Sequence, residues 1–180
     1  MISPDDKTLI KQILRDDKSA LNLLYHRHKS YWFRICLRYA SEKVEAEEIF
    51  QEAATKVFKE LGKYNSEKGS FKAWSNRVLI HEILKTLKRH QWKHAFSGEE
   101  SLQNIASWNG EILEGITAKE VTRLIQSLPL GYRIVFNMYE IEGYNHQEIA
   151  DTLGISIGTS KSQLSRAKKI LKQQIHLLFK

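Results

Sequence analysis

Five residues near the C-terminus, Lys161, Ser162, Ser165, Arg166 and Lys169, fall on one side of a helix at about 100° per residue. All five carry hydrogen-bond donors, and three of them are cations. A major groove accepts such a helix, with Arg and Lys meeting guanine edges or phosphates. The other side of the same stretch carries Ser160, Leu164, Ala167 and Leu171 at amphipathic spacing, so the donors stand on a helix held by its back. Just upstream, His146–Leu153 is a second helical pattern with Ile149, Ala150 and Leu153 on one face. Gly154 lets the chain turn sharply between the two, and small Ala150 lets them approach closely.

A second polar set has the opposite sign. Glu45, Glu48, Gln51 and Glu52 form an acidic stripe on a predicted helix over residues 41–61, in a chain whose net charge is +7. Ser41 is the expected N-cap, and Val44, Ile49, Ala53 and Val57, widened by Phe50 and Phe58, form the expected apolar face. The stripe reads either as a solvated helix face or as a docking surface for a basic partner helix.

The third set begins in a polar turn, Gly62–Ser70, and continues into a helix from Phe71. Trp74, Val78, Ile83 and Leu87 are expected to face inward, while Arg77, His81, Lys85, Lys88 and Arg89 load the remaining surface with positive charge. A basic helix behind a polar, aromatic-flanked loop suits single-stranded nucleic acid. Core packing is the expectation for Trp74; Tyr64 stays open between packing and base stacking.

The elements that must position these sets are all helical. Proline is nearly absent, with 2 residues, and glycine is sparse, with 9 in 180. Ser3 and Pro4 are expected to start a first helix with Leu9, Ile10, Ile13 and Leu14 as its stripe. A second begins near Lys18-Ser19 and runs to Tyr39, apolar over a wide arc through Trp32, Phe33, Ile35, Cys36 and Leu37. Residues 94–116 lose the periodicity and gather acids, so they read as a mobile acidic linker. Beyond it come a helix over 117–127 stopped by Leu128-Pro129, another over 130–141 burying Ile134, Val135, Met138 and Ile141, and the two-helix unit. The expected architecture is all-α, with two small helical domains at 1–93 and 117–180.

Several chemistries find no support. The single cysteine, Cys36, lies in an apolar run and excludes an internal disulfide. His26 and His28 are two apart and face different ways on a helix, and His90 and His94 lack a third ligand at convincing spacing. No metal, cofactor or catalytic residue is expected. With no signal peptide and no apolar run of membrane-spanning length, the chain reads as cytoplasmic, without direct membrane insertion.

Three stretches together resemble one family. The chain is similar to bacterial RNA polymerase sigma factors of the extracytoplasmic-function class over about residues 20–89 and 116–172. EAEEIFQEAATKVFKEL resembles the helix that grips the core polymerase, with Glu48, Gln51 and Glu52 at its acidic-amide positions. GKYNSEKGSFKAWSNRV resembles the loop and helix that recognise and open the −10 element, and the C-terminal unit resembles the reader of the −35 element. The resemblance implies a promoter-specificity subunit with no catalytic group of its own. Its partners would be core RNA polymerase, promoter DNA and an anti-sigma factor.

Carried onto this sequence, the resemblance gives Glu45, Glu48, Gln51 and Glu52 to polymerase binding. It gives Lys63, Tyr64, Asn65, Ser66, Lys68, Ser70, Asn76, Arg77, His81, Lys85, Lys88 and Arg89 to the −10 strand. Lys161, Ser162, Ser165 and Arg166 would contact the −35 groove, with Thr159, Gln163 and Lys169 as phosphate candidates. Departures fall at Ala54, His81, Ser160, Gln163 and Ser165; Ser160 stands where GTVKSRL has Val, which predicts looser packing of the groove-reading helix.

Overall fold

The computed structural model describes residues 4–91, 95–96 and 117–178. Every regular element among them is helical: α1 (Asp6–Ile13), α2 (Lys18–Tyr39), α3 (Lys43–Lys59), α4 (Phe71–Gln91), α5 (Ala118–Gln126), α6 (Leu130–Phe136), α7 (His146–Leu153) and α8 (Ile157–Leu178). The all-α expectation holds. Almost all of the acidic linker, residues 97–116 together with His94, lies outside the described residues.

Two compact units emerge, one comprising Met1–Cys36 and Lys43–Leu87, the other Leu37–Glu42 and Lys88–Lys180. Local chemistry sets the helix starts of the first unit. Asp5, not Ser3, caps α1, accepting from the Thr8 backbone N–H at 2.8 Å. That capped Thr8 holds the Asp5 carboxyl below its ordinary pKa. Asp17 takes the Ser19 and Ala20 amides at 2.8 and 3.1 Å and so opens α2. The α3 helix begins at Lys43, one residue later than a cap at Ser41 requires.

Trp32 lies at the centre of this unit with no exposed surface, its indole N–H donating to Ser75 Oγ at 3.2 Å. Burying such a side chain contributes about 3 kcal/mol or more. Phe58 and Phe71 meet the Trp32 ring edge-on, with centroids 5.8 and 6.2 Å away, and Leu24, Ile35 and Cys36 of α2, Ile49, Ala53 and Val57 of α3, and Leu79, Ile80, Ile83 and Leu87 of α4 are buried in the same unit. Val44 departs from its expected place: at 60% exposed it lies in the first turn of α3, beyond the reach of the core.

In the second unit, capping boxes fix two helix starts. Thr117 and Glu120 exchange hydrogen bonds at α5, and Asn145 and Glu148 do so at α7. Gly154 ends α7 with φ +70°, the left-handed conformation that glycine adopts without strain. Leu124, Leu128, Tyr132, Ala167, Ile170 and Leu171 form one apolar cluster joining α5, α6 and α8. The helix expected over 130–141 changes pitch after Phe136 into a π-helical turn, Asn137–Ile141. Ile141, expected inside, is 42% exposed as a result of lying in the last position of that turn.

Candidate nucleic-acid interface

On α3 the acidic stripe is intact. Glu48, Gln51 and Glu52 are exposed and Glu45 half-buried, within one arc of the helix. Glu52 is also tied to its own fold: its Oε2 accepts from the Thr86 hydroxyl of α4 at 2.7 Å, and Thr86 is buried.

Behind α3, a short 3-10 turn, Leu61–Lys63, leads into the polar loop. Glu60 receives Lys56 at 2.8 Å and Lys63 at 3.2 Å, and these two ammonium groups hold its carboxyl below the usual value. Asn65 Oδ1 accepts the Glu67 amide at 2.8 Å, an Asx turn that shapes the loop. Lys68 and Ser70 are exposed and Ser66 half-buried. Ser70 opens α4 by accepting the Ala73 amide at 3.2 Å. Tyr64 bridges loop and helix. Its hydroxyl donates to Gly69 O at 3.1 Å, and its ring lies 5.6 Å from both Phe71 and Trp74. Burial first, then the carboxylates of Asp6 and Asp5, push the phenol pKa up, so Tyr64 is a neutral donor at physiological pH.

Trp74 is not the core residue its pattern suggested. It is half-buried, stacked on Phe71 at 5.7 Å and 29°, while the interior positions of that turn go to Phe71 and Ser75. One face of an indole at the loop is therefore packed, and some of its surface remains accessible. Farther along α4, Arg77, His81, Lys85, Lys88 and Arg89 are exposed. Arg77, His81, Lys85 and Lys88 recur every three or four residues, which lines them along one side of the helix. Lys85 pairs with buried Glu82 at 2.9 Å, so one of these cations is held in place by its own helix. Asn76 is half-buried between the loop and this row.

On α8 the exposed set is Lys161, Ser162, Ser165, Arg166 and Lys169, as the spacing predicts. Ser156 caps the helix by accepting the Thr159 amide at 2.9 Å, and its Oγ lies 2.9 Å from Thr159 Oγ1. Arg166 Nη1 donates to the Tyr132 hydroxyl at 3.4 Å, a long contact that leaves the guanidinium free to turn outward.

Gln163 is a correction. It is 3% exposed, with its Oε1 facing Gly131 of α6, and so belongs to the packed side of α8. Ile170, seven residues on and about two turns away, lies on the same side; its apolar character was the signal in the sequence. Ser160, where looser packing is expected, makes a polar contact inside the fold. That residue has no exposed surface, and its Oγ lies 2.9 Å from His146 Nδ1.

Sequence reasoning passed over Arg133. It is 3% exposed and donates from Nη1 to the carbonyls of Gln126 and Leu128 at 2.7 and 3.2 Å. The turn it secures contains Pro129, which has no N–H to offer. A basic residue seven positions past the end of α5 carries no local signature, so no pattern in the sequence could have found it.

Among the described residues no group of three or more His, Cys, Asp or Glu side chains is placed to hold a metal ion, and no described helix is long and apolar enough to cross a membrane.

The family model for Sigma-70 region 2 matches residues 24–93, and that for Sigma-70 region 4 matches residues 118–171. Together they take in more than half of the chain, which belongs to the sigma-70 family of transcription initiation factors. Within that family it falls with the extracytoplasmic-function class. The chain is 25% identical to the RNA polymerase sigma-H factor of Pseudomonas aeruginosa, covering 97% of this chain and 96% of that one. It is 23% identical to the ECF RNA polymerase sigma-E factor of Escherichia coli, with coverage of 97% and 96%. Two solved structures share the fold. One is CnrH in complex with the cytosolic domain of CnrY, with TM-score 0.51, 18% identity and coverage of 96% and 97%. The other is the sigma factor RpoE in complex with the anti-sigma factor NepR from Bartonella quintana, with TM-score 0.53, 17% identity and coverage of 87% and 96%.

Proposed function

We propose that this chain is a promoter-specificity subunit of RNA polymerase, using three surfaces in series. Glu45, Glu48, Gln51 and Glu52 on α3 dock on a basic surface of the core enzyme. The loop Lys63–Ser70 takes up a base flipped from the opening −10 strand, at a modest unstacking cost offset by contacts in the loop. Tyr64 and Trp74 lie at its edge, and Asn76, Arg77, His81, Lys85, Lys88 and Arg89 hold the strand. The exposed face of α8 reads the −35 duplex: Lys161, Ser162, Ser165 and Arg166 reach base edges or phosphates, and Thr159 and Lys169 reach the backbone. The two strand-facing surfaces are basic and the docking surface is acidic, so each selects its own partner by sign.

The observation that carries this reading is the exposed donor face of α8, presented by two capped helices around Gly154. An anti-sigma protein is the proposed inhibitor, supported by the complex in which a structural relative of this chain is held. The bond-making chemistry belongs to the polymerase.

The test is reconstitution. The purified chain is mixed with core RNA polymerase, and the mixture transcribes a library of genomic fragments. Co-elution with the core enzyme, together with transcripts sharing paired upstream motifs, is the expected result. A chain that binds a specific duplex tightly on its own, and neither co-elutes with polymerase nor directs transcripts, is instead a free-standing regulator.

A further inference from the structure

At the junction of the π-helical turn, α7 and α8 lies a polar contact between two helices. Ser160 of α8 is fully buried, with its Oγ 2.9 Å from Nδ1 of His146, the first residue of α7. The imidazole is stacked on Tyr139 of the π-helical turn, with ring centroids 4.4 Å apart and planes at 26°. Lys168 of α8 is clamped to Glu140 of the same turn at 2.6 Å. Three elements thus converge on one side chain, and that side chain meets α8 between Thr159 and Lys161, at the start of its exposed donor face.

Apolar contact is non-directional and tolerates small rotations of one helix against another. A hydrogen bond is directional and weakens steeply when its geometry is lost. On a helix that turns about 100° per residue, holding Ser160 at a set angle fixes the direction of Lys161, Ser162, Ser165 and Arg166 together. Partial burial first, then the nearby ammonium groups of Lys161 and Lys168, lower the pKa of His146. The ring is therefore neutral at physiological pH. Glu140 is the carboxylate on the neighbouring turn, and Glu148 and Asp151 are those on α7 itself.

We propose that the His146–Ser160 hydrogen bond is a positioning contact for promoter choice: it fixes the rotation of α8 and thereby decides which base edges the donor face meets. This rests on the reading of α8 as a duplex-reading helix. Neither residue touches DNA in this account; each acts through the side chains it orients.

Thr and Val have the same shape and differ by one hydroxyl, so Ser160→Thr and Ser160→Val isolate the bond from any change of packing volume. The probe is a duplex selected by core polymerase carrying the wild-type full-length chain from a library of randomised double-stranded fragments. Failure of the wild type to select any sequence overturns the function of α8 and this proposal with it. Given a selected duplex, Ser160→Thr should bind it as the wild type does. Ser160→Val should bind about fivefold more weakly, the worth of one net hydrogen bond, and should select a broader set of sequences. His146→Phe keeps the stack on Tyr139, lacks the ring nitrogen and should match Ser160→Val. Equal affinity and identical selected sequences for the Thr and Val variants overturn the proposal. Should both Ser160 variants fail to melt cooperatively, His146→Phe alone decides: broadened selection supports the contact, and unchanged selection overturns it.

Discussion

Reversing charge on α3 separates docking from folding, because two of its glutamates differ in what they touch. Glu48 is exposed, whereas Glu52 accepts a hydrogen bond from buried Thr86 at 2.7 Å. Glu48→Lys changes a surface position, where substitutions cost within about 0.5 kcal/mol of fold stability. Glu52→Lys removes a charge-assisted hydrogen bond worth about 1.5–3 kcal/mol. In a unit of this size that lowers the melting temperature by roughly 6–24 °C, at about 4–8 °C per kcal/mol. On the proposed docking surface, both reversals would place a cation where an anion is to meet a basic partner. Unit charges about 4 Å apart interact by about 1 kcal/mol in water and about 4 at an effective dielectric of 20. A loss of roughly 1–3 kcal/mol, or about five- to 150-fold in affinity, is expected for each. The assays are thermal melting of the free chain and fluorescence anisotropy of labelled chain against core polymerase at several salt concentrations. Glu48→Lys should melt like the wild type, bind weakly and show a reduced salt dependence. Wild-type affinity in Glu48→Lys would refute the docking surface, and an unshifted melt in Glu52→Lys would refute the structural role of its bond to Thr86.

Arg166→Ala should cost about 1–3 kcal/mol at promoters with the preferred −35 sequence and little elsewhere, measured by transcription from matched and mismatched templates. An equal loss on every template would make Arg166 a phosphate contact. Gly131→Ala sets helix propensity, a gain of up to about 1 kcal/mol, against a Cβ that would lie 1.9 Å from the Ala95 carbonyl oxygen. Overpacking of that kind costs about 1–3 kcal/mol, so the expected result is a lower melting temperature; an unchanged or higher one would show that Ala95 yields freely. The lowered pKa of His146 predicts a stability contribution fully present above about pH 6.5 and lost as pH falls through that value toward the folded-state pKa. Melting wild type and His146→Phe in parallel between neutral and mildly acidic pH should show their difference shifting against the wild type in acid, and a constant difference would contradict it.

The sequence made periodic features legible and left directional ones hidden. The buried face of α8 was readable because Leu164, Ala167 and Leu171 recur at helical spacing, and Ser160 followed from its place in that row. Gln163 was misplaced because a polar residue was taken to face outward; burial of an amide depends on α6 and Gly131, which lie some thirty residues away. Trp74 and Ile141 failed for the converse reason. Large apolar residues were assigned to the interior, yet one lies at a helix entrance and the other at the end of a turn whose pitch no local propensity announces. Asp5 displaced Ser3 as the cap of α1, although both precede a helix in chemically suitable positions. The acidic stripe and the basic row kept their predicted exposure because charged side chains have few other places to go. What the spacing could not show is that Glu52 serves the fold as well as the surface.

Arg133 has a consequence for the behaviour of the second unit in acid. The start of α5 depends on Glu120, whose bond from the Thr117 amide weakens on protonation. For Glu120 the bonds to Thr117 lower the carboxyl pKa, so its share of stability holds above about pH 4.5 and drains away as pH falls toward the folded value. The guanidinium that clasps Gln126 and Leu128 keeps its proton throughout this range. Acid should therefore fray the beginning of α5 while the corner between α5 and α6 stays closed. Amide hydrogen exchange would record the sequence: early loss of protection after Thr117, and late loss around Arg133.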